Sequence, residues 1–440
     1  MERIKSLSHK TFSLPTPASV GRVVNTTGMT IDVKGFKAPL GARCKITSED
    51  ENPVYADVIG FKDGVTKLLA INNVDGIEPS SKVSMVSKQP RMEVGDHLKG
   101  KVINPLGEVL LGGKISNSAF VESVSITAPP IGVSERGIIS EQLSTGVKAI
   151  DSMLPLGVGQ RIGLFAGTGV GKSVLMSMIT KNTNADVVVI ALVGERGREV
   201  SEFYEETLSE EARQKTIIVA APADNSPILR MQCAESATAI AEHFRDKGQR
   251  VLLLVDSVTR YAQAQREVAL SSGEPPATKG YPPSVFAKLP RLIERAGITK
   301  DRGAITAIYT VLTEGDDMND PVADAARGVL DGHIVLSRNI ASRGIYPAIE
   351  VTSSISRLAH VLQSKNVLDV VSKVKASFQA IDDNQELIAM GVVESGKNPV
   401  LDKALACEDL LWGQVRQRID ENYSIQDGLQ QLSALAHKLQ

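Results

Sequence analysis

The stretch Gly159–Ile179 combines glycines, a lysine and a serine at a spacing that suits phosphate binding. The pattern predicts an apolar strand at Arg161–Phe165 and a helix from Lys172 onward, with a glycine-rich turn between them. The backbone N–H groups of such a turn, together with the positive end of the helix, can surround phosphate oxygens. The Lys172 ammonium would bind the β- and γ-phosphates of a nucleotide, and the Ser173 hydroxyl would bind Mg²⁺.

The turn departs from the usual phosphate-loop pattern at one position, because Ala166 stands where a glycine is expected. A small residue fits there if its φ is negative, so the pattern still predicts a phosphate-binding loop. The alternative is a glycine-rich turn between a strand and a helix that binds nothing. The predicted nucleotide-binding residues of the loop are Gly167, Thr168, Gly169, Val170, Gly171, Lys172, Ser173 and Val174.

Two carboxylates directly follow predicted buried strands. The run DVVVIALVG is followed by Glu195, and RVLLLV is followed by Asp256. Because ligands of parallel sheets bind beyond the carboxyl ends of the strands, both carboxylates should face the glycine-rich turn. Glu195 is the candidate for orienting an attacking water, Asp256 is the second carboxylate for Mg²⁺, and Arg196 is placed to reach the same phosphate. Taken alone, either carboxylate is more often a solvated strand end.

Other residues have both a functional and a structural interpretation. Arg357 could place a guanidinium on the γ-phosphate, in some enzymes that of a neighbouring subunit, although a lone arginine is more often a surface ion pair. Tyr346 either stacks on a base or packs in the core. We predict that His333 is a satisfied core residue rather than a catalyst. We also predict that Glu314–Asp320 is a loop capping the next helix rather than a metal site.

The composition is typical of a globular protein of two or three domains. The 440 residues include 49 basic and 51 acidic side chains, so the net charge of −2 favours neither nucleic acid nor an acidic membrane as a partner. Three widely separated cysteines show neither metal-ligand spacing nor a disulfide framework, as is usual in a reducing cytosol. No apolar run is long enough to span a membrane, and the N-terminus lacks a signal-peptide core. We therefore expect a cytoplasmic chain.

Changes of pattern along the chain predict three domains. Residues 1–88 contain several short strands separated by turn residues, which indicates a small β-barrel. Residues 89–361 begin with an irregular, glycine- and proline-rich connection from Met92 to about Glu141. They continue as alternating helices and continuous apolar strands, which predicts an α/β fold with a mainly parallel sheet, the P-loop NTPase core. Residues 362–440 have the apolar spacing of helices and form a predicted helical domain.

Small barrels often bind nucleic acid through exposed aromatic side chains on a basic face. Among the predicted strands of the barrel, only VYADVIGF carries aromatic residues, Tyr55 and Phe61, and acidic residues lie close by in TSEDENP. The pattern therefore favours a barrel with a structural role, and we expect no nucleic acid partner.

At the level of longer motifs, the chain resembles the catalytic subunits of rotary ATP synthases in AGTGVGKS, GERGREV, VLLLVDS and GIYPAIE. It resembles the ATPases of type III protein export more specifically, in GEPPATKGYPPSVFAKLPRLIERAG (Gly273–Gly297) and EGDDMNDPVADAARGVLDGHIVLSR. The resemblance covers nearly the whole chain, from about Pro15 onward. The run YAQAQREVALSSGEPPATKGYPPSVFAKLP looks closer to the flagellar export ATPases than to those of virulence injectisomes.

This resemblance implies a homohexamer that binds and hydrolyses ATP with Mg²⁺ at the interfaces between its subunits. It gives Lys172, Ser173, Glu195 and Asp256 the same roles that their positions suggest. It further implies that Tyr346 flanks the adenine. Arg357 would reach from one subunit into the site of its neighbour.

The resemblance also implies partners and a location. The barrel would promote ring formation, and the helical C-terminal domain would face the membrane proteins of the export gate and the arriving chaperone–substrate complexes. A stator-like regulator would bind near the short N-terminal segment. Such a protein is cytoplasmic and peripheral to the cytoplasmic face of the inner membrane.

Three alternatives stay open from the sequence. The first is an ATPase of a virulence injectisome. The second is an RNA-translocating ring of the transcription-termination type, which predicts a basic barrel with aromatic residues, unlike the acidic barrel of this chain. The third is a nucleotide-binding subunit without catalysis, against which Glu195 argues.

Overall fold

The computed structural model describes residues 20–47, 53–114, 121–313, 320–393 and 396–439. Contacts between Cα atoms divide the chain into two compact units. The first unit extends to Pro90 and includes Ser271–Gly273, and the second comprises Arg91–Leu270 and the chain from Glu274 onward. The domain boundaries at residues 88 and 361 stay predictions.

The first unit contains a closed six-stranded barrel of antiparallel pairs, as the sequence predicts. Its strands alternate between buried and more exposed residues. In TIDVK, for example, Ile31 and Val33 are buried and their neighbours are not, which is the period expected of a strand with one face on a core. The strands are β1 (Val20–Thr27), β2 (Thr30–Lys34), β3 (Arg43–Thr47), β4 (Val54–Lys62), β5 (Val65–Ala70) and β6 (Lys82–Ser87).

The second unit is built on a ten-stranded sheet. The strands of the second unit include some outside this sheet. In chain order they are β7 (Arg91–Val94), β8 (Lys101–Ile103), β9 (Val109–Leu111), β10 (Glu122–Ser125), β11 (Gln142–Leu143), β12 (Leu156–Gly157), β13 (Arg161–Ala166), β14 (Val187–Val193), β15 (Thr216–Ala221), β16 (Arg250–Asp256), β17 (Gly297–Ile298), β18 (Ala304–Leu312), β19 (Gly332–Leu336) and β20 (Ile349–Ser356). The large sheet has the order β20-β19-β13-β18-β16-β14-β15-β8-β9, and β17 pairs with β18.

The predicted parallel sheet is confirmed. All neighbours from β19 to β8 are parallel. Strands β9 and β20 add antiparallel pairs at the two edges, and β17 pairs antiparallel with the first residues of the interior strand β18. Every residue of β14 and β15 is buried, which explains their continuous apolar sequences. Because the strands are parallel, β13, β14 and β16 all end at one edge of the sheet.

The glycine- and proline-rich stretch from Met92 to Glu141 is more regular than its sequence indicates. Strands β8 and β9 extend the large sheet beyond β15, and β7 and β10 form a separate two-stranded sheet. These strands have only three or four residues each, which is too short for their periodicity to be recognised.

Side chains cap the first turn of several helices. Ser226 accepts a hydrogen bond from the N–H of Leu229, and Ser424 forms a capping box with Asp427. The helices are α1 (Lys148–Met153), α2 (Lys172–Asn182), α3 (Gly197–Glu202), α4 (Glu210–Gln214), α5 (Pro227–Asp246), α6 (Val258–Ser272), α7 (Pro283–Ile293), α8 (Pro321–Val329), α9 (Arg338–Ser342), α10 (Ala359–Leu362), α11 (Lys365–Asp383), α12 (Gln385–Ala389), α13 (Pro399–Ala406), α14 (Glu408–Val415) and α15 (Ile425–Lys438).

A hydrophobic core lies on each face of the large sheet. On one face, Phe165 and Val189 pack with apolar residues of α5. On the other face, Leu164 belongs to the same buried cluster as Leu411 and Trp412 of the C-terminal helices. The predicted C-terminal helices are therefore confirmed as helices, and they share a core with the sheet.

Two smaller expectations concern the helices of the second unit. Residues 314–319 of the acidic loop lie outside the described ranges, but Asp320 caps α8 by accepting hydrogen bonds from the N–H groups of Val322 and Ala323, as predicted. Across the ranges that the structure describes, no helix is both long enough and apolar enough to cross a bilayer.

Candidate active site

The glycine-rich loop joins the end of β13 to the start of α2. Gly169 and Gly171 have φ angles of 76° and 90°, a region that favours glycine over other residues. Gly171 precedes the first helical residue, and no side chain caps the helix there. The first N–H groups of α2 therefore have no side-chain acceptor, which is the arrangement that binds an anion at a helix N-terminus. Thr168, Gly169, Ser173 and Val174 are exposed, whereas Gly167 and Val170 are buried.

Lys172 contacts both carboxylates that the sequence places at this edge of the sheet. Its Nζ lies 2.5 Å from Oδ1 of Asp256 and 3.5 Å from Oε1 of Glu195. The side chains of Lys172, Asp256 and Glu195 are only 13%, 5% and 10% exposed. The structure thus brings together three of the predicted residues in a nearly buried charge cluster.

Asp256 is fixed from two sides. It is the last residue of β16, and its Oδ1 also accepts a hydrogen bond of 2.6 Å from Oγ1 of Thr310 on the neighbouring strand β18. A carboxylate with two short donor contacts at a strand end is well oriented. It lies close to the Lys172 that opens α2, so it is available to support a cation near the loop.

Each carboxylate oxygen of Glu195 faces one cation, and one of the two oxygens makes no hydrogen bond within the described residues. Its Oε2 lies 3.0 Å from Nη1 of Arg260, and the same nitrogen donates to the carbonyl of Gly194. Its Oε1 is buried and makes no hydrogen bond within the described part of the chain. A buried oxygen of this kind has capacity for one further donor, such as a water molecule.

Arg260 is a site residue that reasoning from the sequence missed. It lies in the first turn of α6, four residues after Asp256, so it projects from the same sheet edge. The signal in the sequence was this spacing from a strand-end carboxylate, which does not distinguish it from an ordinary arginine of a helix.

Arg196 does not join the cluster. Its side chain is 85% exposed, and its Nε lies 3.8 Å from Oε1 of Glu199 on the first turn of α3. Its predicted contact with a phosphate stays a prediction.

Tyr346 lies beside the loop. A Cβ placed on Gly171 would lie 3.4 Å from Cδ1 of the Tyr346 ring, so the ring flanks the last glycine before α2. The Tyr346 side chain is 44% exposed, which rules out a purely internal packing role. Its main-chain carbonyl accepts a hydrogen bond of 2.9 Å from the N–H of Gln417.

Arg357 lies at the opposite edge of the sheet from the loop. Ser356 pairs with Gly332 at the start of β19, whereas Ala166, next to the loop, pairs with Leu336 at the end of β19. Arg357 is exposed, and within the described ranges its guanidinium donates one long hydrogen bond of 3.5 Å, to the carbonyl of Arg327. Arg357 therefore cannot serve the loop of its own subunit.

His333 has the hydrogen bond expected of a satisfied residue, but it is half-buried and not in the core as predicted. Its Nε2 lies 3.0 Å from the carbonyl oxygen of Ser353, and its ring packs edge-on against Phe165. Burial lowers the pKa of His333 below its usual value, so the imidazole is neutral near pH 7. It has no contact with the charge cluster that would give it a catalytic role.

Comparison with known proteins identifies the family. Residues 146–356 match the ATP synthase alpha/beta family, nucleotide-binding domain. Residues 363–434 match the T3SS EscN ATPase C-terminal domain. The first match contains the loop, Glu195, Asp256 and Tyr346, and it ends directly before Arg357.

The similarity to individual proteins extends over nearly the full length. The chain is 46% identical to the flagellum-specific ATP synthase of Pseudomonas aeruginosa over 96% of this chain and 94% of that protein. It is 45% identical to that of Salmonella typhimurium, with the same coverage of both chains. It is 41% identical to the type 3 secretion system ATPase of Pseudomonas savastanoi pv. phaseolicola, over 95% of this chain and 94% of that protein.

A solved structure agrees with these relatives. The assembled ATPase EscN of the enteropathogenic E. coli type III secretion system superposes with a TM-score of 0.89 at 38% identity, over 94% of this chain and all of that chain. The loop, the lysine and the strand-end carboxylates described above lie within the matched nucleotide-binding domain. The chain therefore belongs to the type III export ATPase family, which shares the nucleotide-binding domain of the ATP synthase alpha/beta family, and it is an ATP-hydrolysing enzyme.

Proposed function

We propose that this ATPase energises type III protein export as a homohexamer and that its exported substrates are those of a flagellum. The similarity to the assembled ATPase EscN supports assembly into a ring. The identities of 46% and 45% to two flagellum-specific relatives, against 41% to a type 3 secretion system ATPase, favour the flagellar system. An injectisome ATPase is the alternative, and the genes adjacent to this one would distinguish the two.

The loop and Lys172 would bind the phosphates of ATP. The amide groups from Gly167 to Ser173 and the N-terminus of α2 suit phosphate oxygens, and the phosphates would compete with Asp256 and Glu195 for the Lys172 ammonium. No group of three or more His, Cys, Asp or Glu side chains able to hold a metal occurs in the described ranges. Mg²⁺ would instead be held by the Ser173 hydroxyl and by Asp256 through water, and when bound it neutralises phosphate charge.

Glu195 would act on the attacking water. Its buried Oε1 makes no hydrogen bond within the described residues and suits one from that water. Arg260, at Oε2, and Lys172, 3.5 Å from Oε1, fix the orientation of the carboxylate. As the water oxygen bonds to the γ-phosphorus, the bond to the β-phosphate oxygen breaks and ADP leaves. Glu195 takes the proton lost by the water. Arg196, which is exposed beside Glu195, would stabilise the γ-phosphate in the assembled site.

Tyr346 would hold the base of the nucleotide. Its half-exposed ring beside Gly171 offers an aromatic face close to the loop, and such a face suits stacking with adenine. Val174, exposed in the first turn of α2, would contact the nucleotide from the same side of the loop.

Arg357 would complete the site of the neighbouring subunit. The observation that carries this proposal is its position at the sheet edge opposite to its own loop, where it is exposed. In a ring, the same edge of one subunit can face the loop of the next. A guanidinium supplied in trans stabilises the charge of the transferred phosphoryl group.

The proposed partners follow from the family. The barrel at residues 1–88 would promote ring formation, and the C-terminal helices would face the export gate and chaperone–substrate complexes. One EscN structure contains its central stalk EscO, which supports a stator- or stalk-like regulator for this chain as well. The chain would act in the cytoplasm, peripheral to the cytoplasmic face of the inner membrane.

Mixed rings test the shared site. Arg357→Ala alone should bind ATP but lose at least about 10³-fold in turnover. Lys172→Ala alone should fail to bind ATP. In mixed rings, some sites pair a wild-type loop from the Arg357→Ala chain with a wild-type arginine from the Lys172→Ala chain, so turnover should partly return. Arg302→Ala is the control, because Arg302 precedes β18 at the same sheet edge as Arg357 but pairs with Asp246 of its own subunit. If mixing restores nothing although mixed rings form, the trans role of Arg357 is wrong.

A further inference from the structure

Gln417 is a buried residue of the C-terminal region that bonds to the nucleotide-binding domain through its main-chain N–H and both polar atoms of its side chain. Its main-chain N–H donates to the carbonyl of Tyr346 at 2.9 Å. Its side-chain Oε1 accepts from the N–H of Lys148 at 2.8 Å, and its Nε2 donates to the carbonyl of Gly146 at 2.8 Å and to that of Glu421 at 3.0 Å. Only 4% of Gln417 is exposed, so these bonds do not compete with solvent.

These bonds connect Gln417 with both ends of the loop helix α2. At the first end, the ring of Tyr346 flanks Gly171. At the other end, a Cβ on Gly146 would lie 2.3 Å from Cβ of Asn182, the last residue of α2, so Gly146 packs tightly there. The Gln417 side chain thus bonds to the tightly packed Gly146, and its main-chain N–H bonds to the Tyr346 carbonyl.

A second set of contacts holds the segment before Tyr346 to the C-terminal helix α14. The Arg343 guanidinium lies 4.7 Å from the centre of a Trp412 ring and 3.1 Å from Oε1 of Glu408. Trp412 also donates to Glu408 at 3.2 Å. Residues 408–417 therefore hold both the side chain of Arg343 and the main-chain carbonyl of Tyr346.

We infer that Gln417 is a positioning residue for Tyr346, and that the C-terminal region thereby sets the affinity of the enzyme for the base of ATP. The inference rests on the proposed role of Tyr346. Gln417 acts through the carbonyl of Tyr346 and not by touching the phosphates, so its loss should weaken binding of the base and leave phosphate binding intact. A residue that only supported the fold would weaken both.

Steady-state kinetics with Gln417→Ala, Tyr346→Ala and the double variant test this inference. Gln417→Ala should raise KM for ATP about three- to tenfold, because that is the loss of affinity expected when one aromatic contact is removed. It should change kcat less than about twofold. The double variant should have the KM of Tyr346→Ala alone, because both changes remove the same contact. Inorganic triphosphate, which lacks a base, should inhibit all three variants as strongly as the unmodified enzyme.

Gln379→Ala is the matched control, because Gln379 is an exposed glutamine of α11 whose amide donates to Asp383 within the same helix. It should change none of these values. If Gln417→Ala weakens inhibition by inorganic triphosphate as much as it raises KM, its role is structural and the inference is overturned. If only Tyr346→Ala raises KM, the inference fails and the proposed role of Tyr346 stands. If Tyr346→Ala leaves KM unchanged, that role fails and the inference with it.

Hydrogen–deuterium exchange on the unmodified chain gives a test that does not depend on folding of a variant. ADP should slow amide exchange in residues 415–421, since the Gln417 N–H bonds to the segment that contacts the base. Inorganic triphosphate should slow exchange in the loop but not in residues 415–421. Equal exchange of this segment with and without ADP, or equal slowing by both ligands, would contradict the positioning role.

Discussion

At the scale of single residues, the cluster of Lys172, Glu195 and Asp256 determines what the site can do. One ammonium group faces two carboxylates that are nearly buried, and Arg260 supplies a second cation to Glu195. Buried charges of this kind depend on one another, because removing one leaves the others without compensation in a medium of low polarity. The lysine should therefore contribute to stability as well as to ATP binding.

We expect Lys172→Ala to destabilise the protein in the absence of any nucleotide. Asp256 would keep only its bond from Thr310, and the cost should be about 3 kcal/mol. The thermal midpoint, measured by calorimetry without ATP or Mg²⁺, should fall by several degrees. Adding Asp256→Asn to Lys172→Ala should restore part of the loss.

Lys181→Ala provides the control for this comparison, because Lys181 lies on the same helix α2 and away from the carboxylates. It should leave the midpoint nearly unchanged. An unchanged midpoint in Lys172→Ala would mean that the three charges are not mutually dependent.

The sequence was sufficient for some of these residues and not for others. Lys172, Glu195 and Asp256 were predictable, because a glycine-rich turn and two strand-end carboxylates must meet at one sheet edge. Arg260 was not, since its spacing is that of any helical arginine. The bond between Gln417 and Tyr346 was not predictable either, because it uses main-chain atoms of residues far apart in the sequence.

At the scale of elements, the apolar runs predicted the central strands but not their order in the sheet. Period and composition identify β14 or β16 as buried strands, but which strands become neighbours depends on the packing of the helices between them. Strand β20 was missed because its sequence, IEVTSSIS, is polar at several positions, as suits an edge strand. The turn before α1 packs against Asn182, the last residue of the loop helix, and Asp151 holds this turn.

Asp151 makes the stability of this turn depend on pH. It accepts hydrogen bonds from the N–H groups of Thr145 and Gly146 and from the hydroxyls of Ser144 and Thr145. Burial nevertheless raises the pKa of Asp151 to about 6, against 3.8 for an ordinary aspartate. The folded protein thus binds this proton more tightly than the unfolded chain, so protonation of Asp151 stabilises the fold.

The stabilising contribution of this group is fully present below pH of about 4 and is lost as the pH rises through about 6. Lowering the pH from 7 to 5 protonates Asp151 in the folded protein, which should raise the free energy of unfolding by about 1 kcal/mol. Asp151→Asn should lack this gain, so the difference between the two proteins in urea denaturation should change with pH. Parallel pH profiles for the variant and the unmodified chain would show that Asp151 keeps an ordinary pKa.

At the scale of the whole molecule, the C-terminal helices belong to the same compact unit as the nucleotide-binding domain. Their residues Leu411 and Trp412 share a hydrophobic cluster with the sheet, and Gln417 bonds to the segment beside the loop. Helical periodicity in the sequence predicted helices here but could not show this packing. The part of the enzyme that is proposed to meet the export gate is therefore in direct contact with the part that binds ATP.

The central claim is that ATP hydrolysis in this chain depends on Glu195, and turnover by Glu195→Gln tests it most directly. The variant keeps the shape of the side chain but cannot accept the proton of the attacking water, so it should bind ATP as the unmodified enzyme does and lose at least about 100-fold in kcat. Glu202→Gln, which removes an exposed carboxylate paired with Arg198, should leave kcat unchanged. A Glu195→Gln enzyme with normal kcat would contradict the account.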